Sequence, residues 1–175
     1  MNAACFPRLP CLFRRRTAAA PLAVLLLCTA ALHPARATIA RLDDSASPRA
    51  QVRSDFGNAQ GMDGNMLVLP LGRVEYRLAT ASHVGRRARI FYVIPAMVAG
   101  LRSPAGMQVQ WRGNGVFASG SGRPGDRVQV WNGVIQSPWM NETFELTLRV
   151  DPRELRMPSG SALSFESFFE IETLP

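Results

Sequence analysis

Lysine is absent from this 175-residue chain, so all 20 of its basic side chains are arginine. Cysteine occurs at Cys5, Cys11 and Cys28 and nowhere beyond, and histidine only at His33 and His83. Each shortage removes a class of chemistry. Without cysteine after residue 28, the rest of the chain has neither a disulfide staple nor a thiolate zinc site, and a core must hold it together. Without lysine there is no phosphate-binding loop of the Walker type, although Gly113 to Gly125 is rich in glycine. With His83 alone in the downstream chain, a histidine metal pair is excluded, and a serine triad has a single base to draw on. Ser82 beside His83 carries no weight as a triad, because triads are assembled in space; His83 reads as a solvent-facing loop histidine.

Long apolar runs are also missing, with one exception. Ala18 to Leu32 is apolar, follows Arg14-Arg15-Arg16 and precedes Ala35-Arg36-Ala37. This is the basic, apolar and small-x-small order of a secretory leader, so residues 1–37 are expected to be a signal peptide and the mature chain to begin at Thr38. The run is short for a bilayer span and is bracketed by Pro21 and Pro34, so no stable membrane anchor is expected. Leu25-Leu26-Leu27 before Cys28 argues against lipidation, and Thr17-Ala18 after the arginines argues against a twin-arginine route.

Removing the leader leaves fifteen arginines against thirteen carboxylates, a balance of +2, with the two signs interspersed. Nucleic acid is therefore not an expected partner, since phosphate neutralisation needs a concentrated basic face. The all-arginine usage suggests a GC-rich bacterial genome, in which Asn141-Glu142-Thr143 is only a strand segment that happens to match a glycosylation sequon.

Residues 38–65 are polar, with scattered apolar residues of no common period, and are expected to form a flexible arm. The folded domain is expected over 66–175. There the pattern has period two: Val74, Tyr76 and Leu78; Met107, Val109 and Trp111; Phe144, Leu146, Leu148 and Val150, each alternating with polar residues. Alternation gives a strand one buried and one wet face. Arg89 to Ile94 is apolar on both faces, as a central strand would be, and Leu163 to Ile171 alternates except for Phe168, which falls among Glu166 and Glu170. Val116 to Ala118 reads as a short strand between glycine turns. Turn signals at Ser103-Pro104, Gly113-Asn114-Gly115, Asn132-Gly133, Ser137-Pro138 and Asp151-Pro152 separate the segments, and Arg153 to Met157 has room for one helical turn. The expected fold is an all-β, single antiparallel sandwich of immunoglobulin- or pilin-like architecture.

No catalytic, cofactor or metal site is expected. Glu142, Glu145, Glu166 and Glu170 lie at polar positions of alternating strands and read as a solvated face, not as a carboxylate pair. Trp131 and Trp139 beside turns, together with Phe168 on the terminal strand, are the candidate interface residues. The expected function is non-enzymatic: binding or assembly in the periplasm or at the surface of a bacterium, as in a fimbrial-type subunit, with a protein partner, self-assembly or a periplasmic chaperone. A carbohydrate- or ligand-binding module and a small outer-membrane barrel are the alternatives.

Overall fold

Alternation has its structural consequence in two sheets that enclose one core. The computed structural model describes residues 37–48, 59–156, 163 and 166–175, so the expected leader lies outside the described residues except for Ala37. Among them are nine strands: β1 (Thr38–Arg41), β2 (Gly61–Asp63), β3 (Met66–Ala79), β4 (Arg87–Val93), β5 (Met107–Gly113), β6 (Gly120–Gly122), β7 (Arg127–Val134), β8 (Trp139–Val150) and β9 (Phe168–Thr173). Sheet A has the order β1-β9-β4-β7 and sheet B the order β2-β3-β8-β5-β6, with every pairing antiparallel. The protein is an all-β sandwich. Two separate sheets with free edges are not a closed barrel, which removes the outer-membrane barrel alternative in its closed form.

The inward residues are those the alternation marks. Leu78, Val109, Phe144 and Leu148 of sheet B and Ile90, Tyr92, Phe169 and Ile171 of sheet A have almost no exposed surface. At the centre the Tyr92 ring meets Trp111, Phe144 and Phe169 at centroid separations of 4.9, 5.3 and 5.2 Å. Edge-on and tilted contacts of this kind add to the burial that replaces a disulfide. The Tyr92 hydroxyl has a partner, the Ser167 hydroxyl at 2.6 Å, with the Tyr76 hydroxyl 3.4 Å away. Burial pushes the Tyr92 phenol well above the usual range and raises that of Tyr76, so both stay protonated.

Three expectations need correction. Residues 38–65 are not an arm throughout: β1 pairs with β9 from Thr38↔Thr173 to Arg41↔Glu170, and Leu42 is 2 % exposed. The following residues bind the margin of β3, where Ala79 N–H donates to Asp43 O and Arg77 N–H to Ser47 Oγ. Only 49–58 lies outside the described residues. Val116 to Ala118 is a loop, with Phe117 buried in it, and the strand comes later as β6. The terminal strand runs Phe168–Thr173 and so begins five residues beyond the expected start at Leu163.

Candidate functional site

The outer face of sheet A carries the least ordinary surface of the molecule. Phe91 on central β4 and Phe168 on β9 point away from the core, and each lies beneath an arginine. The Arg127 guanidinium carbon is 3.3 Å from the Phe91 ring centroid, and that of Arg41 is 4.5 Å from Phe168. Arg127 Nε also donates to Glu170 at 2.7 Å, and its Nη2 lies 3.6 Å from Glu172. The aromatic rings keep hydrocarbon under the guanidinium planes while the glutamates hold those planes in place. Phe168 is thus outward and half-buried, on the same face as Glu170.

This face ends at β1, and the pairing determines which of its backbone groups are free. Leu42 N–H donates to Phe169 O at 2.9 Å, so in the antiparallel register Thr38, Ala40 and Leu42 direct their peptide groups to β9. Those of Ile39 and Arg41 point to the margin. Ile39 is 58 % exposed there.

The three candidate interface aromatics do not form one patch. Trp131 pairs with inward Ile90, packs against the core and lies along Gly133, where a Cβ would come within 2.9 Å of its ring. Trp139 begins β8 in the other sheet, exposed, with Arg77 4.7 Å from its ring centroid. Phe168 is on the opposite side of sheet A from Trp131.

A shallow groove of about 380 Å³ crosses β3 and β8 and is lined by Ala46, Pro48, Tyr76, Asn114 and Glu142, among others. Glu142 corrects the reading of a solvated face, because it is 4 % exposed. Its Oε2 accepts from Phe117 N–H at 2.8 Å and its Oε1 from Thr143 N–H at 2.9 Å. Gly115 makes room for it, since a Cβ there would lie 2.8 Å from both carboxylate oxygens. The carboxylate is a latch for the 114–119 loop, with its lone pairs directed at backbone. Position 142 lies on the core-facing side of β8, in step with Phe144 and Leu146, and the 114–119 loop closes over it. Glu145 and Glu166 remain exposed.

His83 lies on a 3-10 turn, Ala81–His83, half-buried, while Ser82 is exposed. Burial first and the nearby Arg86 charge second lower its pKa. Its Nδ1 is buried without a partner among the described residues. No group of three or more His, Cys, Asp or Glu side chains among the described residues is placed to hold a metal. No family model, curated protein or solved structure matches the chain.

Proposed function

We propose that the chain is an exported, non-enzymatic β-sandwich of the bacterial cell envelope that works through protein contacts and assembly, in the manner of a fimbrial-type surface subunit. The observation that carries this reading is the contrast between two of the sheet margins, β1 of sheet A and the stretch of β3 in sheet B beyond its pairing with β2. Beyond its pairing with β2, the long margin of β3 in sheet B is protected: Pro70 lacks an amide, the register shifts between Pro70 and Gly72, Gly72 has φ of 80°, and Ser47 covers the Arg77 amide. These are the devices that keep edges from pairing. One edge of sheet A, β1, has no proline, glycine or bulge and presents exposed Ile39. An edge left open on a protein that protects another long margin is suited to accepting a strand.

The leader and the cysteine-free core support export, and an open edge in transit gives a periplasmic chaperone something to cover. A sugar-binding role has less support: such a platform needs a bare aromatic face, whereas Arg77 lies over Trp139 and Trp131 packs on the core. The test is fractionation of the producing cell, followed by electron microscopy and light scattering of the released protein. Envelope or surface material that forms oligomers is expected; a cytoplasmic, monomeric product would overturn the reading.

A further inference from the structure

We infer that the partner at the β1 edge is a second copy of this chain, whose β1 pairs antiparallel with the first about a two-fold axis through Ala40. The inference rests on the assembly reading and names its contact.

Backbone geometry limits the possible registers. Only Ile39 and Arg41 direct their N–H and C=O groups outward, so an added antiparallel strand must put these residues in hydrogen-bonded pairs. For a second β1 three registers satisfy that condition. One places Arg41 opposite Arg41 of the second copy, setting like charges side by side on the outer face. Another places Ile39 opposite Ile39, which leaves Arg41 opposite Ala37, outside β1 and so unpaired in the ladder. The third sets Ile39 opposite Arg41 of the second copy and Arg41 opposite Ile39. Both outward residues of each strand are then paired, and no like charges face each other. On the inner face Ala40 meets Ala40, the smallest pair this strand offers.

The same register continues the pattern already present on the outer face. Arg41 and Ile39 lie opposite Glu170 and Glu172 on β9, so each strand pair across the junction alternates cation, apolar residue and carboxylate. Pairing joins two four-stranded sheets into one continuous sheet. It consumes an edge that carries no proline, glycine or bulge. Because β1 has only four residues, the contact is small, and the dimer is expected to be weak, forming at high protein concentration or where subunits are concentrated on a surface.

The absence of cysteine from the mature chain makes the test specific. In this register Ala40 faces its counterpart in a non-hydrogen-bonded pair, where Cα atoms lie about 4.5 Å apart, within reach of a disulfide. The mature protein from Thr38 carrying Ala40→Cys is expected to form a disulfide-linked dimer under mild oxidation, whereas Met62→Cys on β2 is not. Ile39→Pro removes an amide that points away from β9, so the melting temperature should stay close to wild type while the dimer dissociation constant in sedimentation rises at least tenfold. Wild-type dimers that persist in Ile39→Pro, or an Ala40→Cys protein that stays unlinked while wild type dimerises, overturn the edge contact and leave assembly through another surface standing. A wild-type protein that remains monomeric at 1 mM overturns both.

Discussion

Arg127 lies over Phe91 with its guanidinium carbon 3.3 Å from the ring centroid, and this one contact explains how a large aromatic residue can sit on the outside of a sheet and still be only 8 % exposed. The ring is covered by a guanidinium whose Nε is held by Glu170. Arg127→Ala uncovers the ring and strands the glutamate, and is expected to cost about 1–2 kcal/mol in urea unfolding, the range for a partly desolvated cation–π contact with some lost packing. Arg127→Lys should recover less than half, because ammonium cannot lie flat on the ring while also donating in a fixed fork. A neutral Arg127→Ala would show the pair to be surface decoration.

Phe168 has a similar arrangement with Arg41, but nearer the end of its strand and half-buried. Phe168→Ser is therefore expected to fold and to lose about 1 kcal/mol, well short of the ~3–5 kcal/mol of a core aromatic such as Phe144. Thermal melts of the two substitutions side by side decide between an outward and an inward Phe168.

Glu142 holds the 114–119 loop through two backbone amides. Glu142→Ala leaves the buried Phe117 N–H without an acceptor, at an expected cost of about 1.5–3 kcal/mol for a lost charge-assisted bond. Trp111 reports on the same loop, because its indole N–H donates to Ala118 O at 3.0 Å. Its fluorescence should shift to the red in the variant before global unfolding. An unchanged spectrum would place the loop's support elsewhere.

Leu42 anchors β1, and replacing it with alanine empties a fully enclosed site at about 2–5 kcal/mol. Hydrogen exchange is the more telling measurement: the Ile171 and Thr173 amides, which face β1, should lose protection while Glu172, bonded towards β4, keeps it. Equal loss at all three would mean that β1 and β9 open only with the whole domain.

The central strands were legible in the sequence because they are long enough to show a period and are buried on a consistent side. The edges were not. Within 38–65 only Ala40 and Leu42 turn inward before the chain leaves the sheet, too few positions to define alternation in a run that is otherwise polar. Glu142 reads as wet from its polarity alone: it is in step with Phe144, Leu146 and Leu148, so the period puts it on the inner side, where the 114–119 loop supplies its partner. Phe168 was recognisable as an exception, but not its cover, since Arg41 reaches it from the far end of the chain.

His83 gives the molecule a predictable response to acid. Its imidazole is held partly out of water, its Nδ1 has no partner among the described residues, and Arg86 adds a like charge on protonation, so the folded state favours the neutral ring. In the unfolded chain the ring regains its ordinary value of about 6.5 and takes up a proton more readily. The unfolded state therefore binds more protons below that value, and linkage requires stability to fall as pH drops through 6.5 towards the lowered folded pKa, then to level off from this source. Above pH 7 both states hold the neutral ring and no dependence remains. His83→Asn, which cannot titrate, should flatten the difference in urea midpoint between pH 7.5 and pH 5.5 relative to wild type. Arg86→Ala should reduce the difference without abolishing it, because burial is the larger cause. A wild-type slope of the opposite sign would overturn this account, and one that survives in His83→Asn would assign the acid response to the carboxylates instead.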